Sequence, residues 1–218
     1  MDLFIYTFIT IAYVGILLWG INLAKNNTWF SISNVLILVI IALIYDNAIV
    51  AMGGLIGEGR VLKGLNYARY WLHALCTPLL VLYAWKIVEN TGIKWISKEW
   101  VRIGTSILVI ILIFIEVATV ITKLELVAKW KYGVLAYENV DEASAAPIMV
   151  IVVTLVLLIA SIFIWWKLKW RWFFIGTIIM IIGSIVPLPI KSEALTNGLE
   201  LILIITLMAT RQFQERIG

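Results

Sequence analysis

Seven polar side chains stand inside stretches of this sequence that are otherwise apolar: Asp46, Asn47, Arg69, His73, Glu116, Asn197 and Glu200. A charged side chain at the centre of a bilayer costs roughly 2.5–3.5 kcal/mol even on the lenient insertion scale, so such groups persist when they face a bundle interior and find partners. A histidine beside carboxylates can act as a general base. The expectation is a hydrated pocket opening outward, in which Arg69 and His73 face Asp46, Glu116 or Glu200. The competing reading is a buried salt-bridge network that only fixes helix register. A lone histidine is more often hydrogen-bonded in a polar core than catalytic, so no catalytic residue is assigned.

The same residue types exclude much. His73 is the single histidine and Cys76 the single cysteine. Membrane desaturases, hydroxylases and zinc hydrolases need several histidines as ligands, and no metal or other cofactor is expected. No disulfide can form within the chain. Tyr45-Asp46 resembles half of an intramembrane aspartyl protease site, but Asp46 is the one aspartate inside a span and two must share a proton. Neither a Gly-x-Ser-x-Gly elbow nor a P-loop occurs.

The elements that must position these groups follow from composition. With 63% apolar and 14% charged residues in 218, the chain cannot hide its apolar surface in a water-soluble fold of this size. Long apolar runs predict an all-α polytopic membrane protein, one domain over residues 1–218. Its seven transmembrane helices lie near 3–24, 34–56, 66–88, 103–123, 147–166, 172–189 and 195–211. The N-terminus lacks the basic start and cleavage site of a signal peptide, so the first run is expected to remain as a helix. Pro78 should kink span three, and Pro187 and Pro189 mark the end of span six. With seven spans, Lys25, Lys86, Lys94, Lys98, Arg102, Lys167, Lys169, Arg171, Arg211 and Arg216 share one side. Arg60, Lys63, Arg69, Lys123, Lys129, Lys131 and Lys191 share the other. The positive-inside rule then places the C-terminus in the cytoplasm and the N-terminus outside.

At about 100° per residue, Asn66, Arg69, Tyr70, His73 and Thr77 form one stripe on span three; Thr105, Glu116, Thr119 and Lys123 share a face of span four. Gly53-Gly54-Leu55-Ile56-Gly57 contains a small-xxx-small pattern, read as close helix packing. Residues 89–102 mix Ile93, Trp95, Ile96 and Trp100 with Lys94, Lys98 and Arg102, as a segment on the membrane surface does. Trp165 to Trp172 reads as a tight hairpin with an aromatic and basic belt. The outer connection, about 124–146, carries the acidic run Glu138-Asn139-Val140-Asp141-Glu142. It is read as a solvated loop in preference to a cover over the bundle mouth.

Ala68-Arg69-Tyr70 followed by Thr77-Pro78-Leu79-Leu80-Val81-Leu82 resembles the third helix of microbial rhodopsins over residues 68–82. The resemblance implies seven helices with the N-terminus outside. The departures bear on function. Span seven has no lysine to hold retinal, Lys191 lying before it. Leu72 stands where the pumps place a carboxylate, and Tyr83 where they place the inner proton donor. The resemblance therefore implies an opsin-like scaffold with a different ligand or none.

Three functions stay open: non-retinal small-molecule sensing or proton-linked transport; an intramembrane enzyme acting on a lipid or isoprenoid; and a structural or accessory subunit. The expected partners are the lipid bilayer, in a bacterial-type cytoplasmic membrane, and a small apolar or amphipathic ligand. The basic residues flank apolar runs, so the net charge of +4 points to topology and not to nucleic acid.

Overall fold

A computed structural model describes residues 2–26, 31–140, 148–185, 192 and 194–217. Helices dominate it: α1 (Asp2–Asn26), α2 (Val35–Ile56) after a 3-10 turn at Ile32–Asn34, α3 (Arg60–Cys76), α4 (Leu79–Glu89), α5 (Glu99–Thr119), α6 (Ile148–Leu168), α7 (Trp172–Ile185) and α8 (Ala194–Ile217). Six stretches are long and apolar enough to cross a membrane, α3 and α4 together counting as one, and α7 is a shorter apolar helix. The chain has the make-up of a multi-pass membrane protein. The expected end of span six, at Pro187 and Pro189, lies outside the described residues.

Apolar runs become helices here because, in hydrocarbon, every backbone N–H and C=O must be satisfied within the chain. The termini follow local chemistry. Asp2 and Lys25 suit the two ends of the α1 dipole. Pro78 has no N–H to give the Ala74 carbonyl and divides the third span into α3 and α4. The division separates two sets of neighbours. α4 packs on α2, α5 and α6, whereas α3 packs chiefly on α2 and on residues 126–139. The core lies around α4 and α8, with Leu36, Ile40, Tyr83, Phe173 and Leu207 inaccessible. The Tyr83 hydroxyl donates to the Leu207 carbonyl and ties the two helices. Gly176 lets α7 lie against α8, where an added Cβ would fall 2.1 Å from Thr206 Oγ1.

The connection after α5 departs from the expected solvated loop. β1 (Leu126–Lys131) and β2 (Val134–Asn139) form an antiparallel hairpin pairing Lys131 with Val134. Its two turn residues, Tyr132 and Gly133, have φ of 49° and 91°, the left-handed pair that a type I′ turn needs. Val134 to Tyr137 are all buried, because β2 lies on α2. A Cβ on Gly53 would sit 1.8 Å from the Leu135 carbonyl oxygen. The glycine run thus admits a strand, not another helix. Tyr70 and Tyr137 fasten the hairpin further, their hydroxyls accepting from Asn139 N at 3.2 Å and Gly59 N at 3.1 Å.

Part of the acidic run is also not simply solvated. Glu138 Oε2 meets Lys129 Nζ at 3.2 Å and Lys131 Nζ at 2.7 Å. Burial pushes this carboxyl up, but the two ammonium groups outweigh it and hold Glu138 below the usual glutamate range. Asp141 and Glu142 lie outside the described residues.

At the opposite end, the expected tight connection joins α6 to α7 through Lys169–Arg171. Trp170 turns inward, stacking on Phe213 at 4.3 Å and donating to Thr210 Oγ1 at 3.0 Å. Trp165, Trp166 and Trp172 stay exposed. Residues 90–98 form turns, with Ile96 buried and its carbonyl accepting from Trp85.

Candidate functional site

Three helices bring their polar groups together towards the hairpin end. From α3, Arg69 donates through Nε to Asp46 Oδ1 on α2 at 2.9 Å and through Nη1 to Asn66 Oδ1 at 2.7 Å. From α8, the Asn197 amide donates to Asn47 Oδ1 at 3.1 Å and, at 3.4 Å, to Asp46 Oδ2. The Asn47 and Asn66 amides donate in turn to the Leu43 and Leu62 carbonyls, each at 2.8 Å. Both asparagines are inaccessible. Each member of this set has at least one hydrogen-bond partner within it or on the backbone, and the one ion pair joins two helices.

Beside it lies a cavity of about 190 Å³, lined among others by Asp46, Arg69, Leu72, His73, Asn197 and Glu200. A smaller apolar space of about 70 Å³ shares Val39, Leu43, His73, Thr77 and Glu200 with it and runs on between Leu157, Met180 and Ile204. On one side of the Pro78 break α4 packs on α6, and on the other α3 packs chiefly on α2 instead. An engineered apolar cavity of about 150 Å³ accepts benzene, so a small organic molecule fits here.

His73 and Glu200 differ from the set beside them. Among the described residues His73 has one hydrogen-bond partner, the Thr77 hydroxyl, 3.3 Å from Nδ1. Glu200 makes no hydrogen bond or ion pair with any described residue. Both belong to the cavity wall and both can carry a proton.

Of the seven residues singled out by sequence, Asp46, Arg69, His73, Asn197 and Glu200 line one cavity, and Asn47 stands behind it holding Asn197. Glu116 does not join them. It lies on α5, which packs against α3, α4 and α6, and it takes no partner among the described residues. On the same face, Thr105 and Thr119 only return hydrogen bonds to their own helix. Tyr13 on α1 was not foreseen. Its hydroxyl is buried without a hydrogen-bond partner among the described residues and lies within electrostatic reach of Glu200 and Asp46. Only the buried stripe Tyr6, Ile9, Tyr13 and Ile16 marks it in the sequence.

Comparison with protein-family models, curated proteins and solved structures gives no match. The functional reading therefore rests on the geometry.

Proposed function

We propose that this chain binds a small amphipathic molecule in the His73–Glu200 cavity and couples its movement across the membrane to protons. One observation carries the reading: His73 and Glu200 line the cavity without an ionic partner among the described residues, while Asp46 and Arg69 beside them neutralise each other. With that pair cancelled, Glu200 is the surplus acid, and it favours a cationic head group. The apolar extension past Thr77 suits the body of the same molecule. A cation arriving at a protonated Glu200 displaces the proton, which is the linkage an exchanger needs. The basic bias towards the aromatic belt supports seven crossings, an outer N-terminus and a cavity reached from outside.

The test uses hexyltrimethylammonium, whose charge does not depend on pH. Purified protein should bind it at pH 7 and release protons, and liposomes should take it up against an opposed pH gradient. Glu200→Gln should fold, bind at least tenfold more weakly and carry none. Unchanged binding and uptake in folded Glu200→Gln and His73→Gln proteins would defeat the reading.

A second reading, an enzyme acting on a lipid or isoprenoid, is favoured by the apolar space running beside His73. Turnover of such a substrate, lost in His73→Gln, would replace the first.

A further inference from the structure

At the belt end, away from His73 and Glu200, a separate cavity of about 470 Å³ is lined by Ser33, Asn90, Thr91, Arg211, Gln214 and Glu215, with Leu168 and Ile217 as its apolar members. Arg211 is 2% exposed. Its Nε donates to Glu215 Oε1 at 2.8 Å, and its Nη1 reaches the Ser33 carbonyl only at 3.5 Å. Nη2 has no acceptor among the described residues. A guanidinium has five N–H donors in a planar fork, so a single carboxylate on its Nε leaves the outer edge unused.

Three other polar side chains on this wall, Gln214, Asn90 and Thr91, direct donors elsewhere. Gln214 Nε2 donates to the Ile87 carbonyl at 2.8 Å, Asn90 Nδ2 reaches Gln214 Oε1 at 3.5 Å, and Thr91 Oγ1 donates to the Val88 carbonyl at 2.7 Å. What the cavity offers an anion is therefore the Nη1 and Nη2 edge of one buried cation, with the Ser33 hydroxyl on the same wall. Two oxygens of one carboxylate or phosphate match that planar edge bidentately.

We infer that this cavity is an anion site for a phosphate-bearing group. Position selects phosphate. Exposed Trp165, Trp166 and Trp172 and the basic Lys167, Lys169 and Arg171 surround this end, and indole and basic side chains together mark the headgroup level of a bilayer. The cavity volume exceeds what one phosphate needs and admits the glycerol next to it. Glu215 occupies Nε alone, and the anion takes the opposite edge. The phosphate arrives as a lipid headgroup or as a free ion; the chemistry at Arg211 is the same.

The experiment measures binding to the full chain, delipidated in uncharged detergent. Inorganic phosphate is titrated by thermal melting; phosphatidylglycerol and phosphatidylcholine are offered in nanodiscs and the retained lipid is counted by native mass spectrometry. Either phosphate or phosphatidylglycerol should bind, at least tenfold more weakly in Arg211→Gln. Thr91→Glu leaves the Arg211 bonds intact, brings a carboxylate to the same wall and should weaken binding as much. Retention of phosphatidylglycerol without a phosphate response identifies the lipid, and a response to both identifies a general phosphate site. Failure of both ligands to bind, or equal binding in folded Arg211→Gln and Thr91→Glu proteins, overturns the inference.

Discussion

Arg69 and Arg211 are both drawn into the bundle, one on the hairpin side and one at the belt end, and they are held in opposite ways. Arg69 finds Asp46 on another helix, and Asn197 reaches that carboxylate from a third. Arg211 finds Glu215 one turn along its own helix and a distant carbonyl. A pair between helices is a tie: removing one side strands the other in a low-dielectric interior. A pair at i, i+4 contributes little to tertiary structure and leaves the cation available. Where the counter-charge sits along the chain separates a charge that fixes the fold from one that can meet a ligand.

The largest expected effect tests that contrast directly. Arg69→Leu should cost about 3 kcal/mol, the low end for a broken buried pair because both side chains keep some exposure. Asp46→Leu combined with Arg69→Leu should recover part of the loss, since no charge is then stranded. Arg211→Leu should cost about 1 kcal/mol, the scale of an ordinary hydrogen bond. Unfolding by titration with a denaturing detergent reads all four proteins, and equal losses in the two arginine variants would erase the distinction.

Gly53→Ala comes next. The methyl group meets the Leu135 carbonyl, which must move, at a cost of about 2 kcal/mol for overpacking. Faster amide exchange should be confined to residues 126–139 and the α2 end. Exchange spreading equally to the belt end would mean that the two ends are not independent.

The smallest effect is in pH. Glu138 has its carboxyl held below the ordinary range in the folded hairpin. Its contribution is present above the unfolded glutamate range and is lost as pH falls through the lower folded value. Hairpin protection factors, exchange corrected for its intrinsic pH dependence, should therefore fall on acidification below about pH 4, near the ordinary glutamate value, and Glu138→Gln should flatten that fall while leaving Arg211 binding unchanged.

The helices were largely legible in the sequence because hydrocarbon demands unbroken apolar runs. Span two, expected over 34–56, is Val35–Ile56. Span three begins earlier than hydropathy suggests, at Arg60, since its polar first turns are held by the hairpin and not by lipid. Spacing also brought out Arg69 and His73 on one stripe. Glu116 misled because depth along a helix says nothing about which helices are neighbours. Arg211 looked like an interfacial charge by its place near a helix end; only packing turns it inward. The hairpin carried a signal in Tyr132-Gly133, but its inner strand buries four successive residues and so lacks the alternation that identifies a half-exposed strand.

Pro78 has one further consequence. Below it, α4 is bolted to α8 through Tyr83 and to α6 through packing; above it, α3 and the hairpin form a single arm, joined by Tyr70 and Tyr137. His73 stands on that arm and Glu200 on the frame, on opposite sides of the Thr77–Pro78 break. Their spacing is set by where α3 lies, which the Arg69–Asp46 pair and the seating of the hairpin on α2 hold in place, so Arg69→Leu should shift a distance label pair on α3 and α8 while one on α4 and α8 stays still.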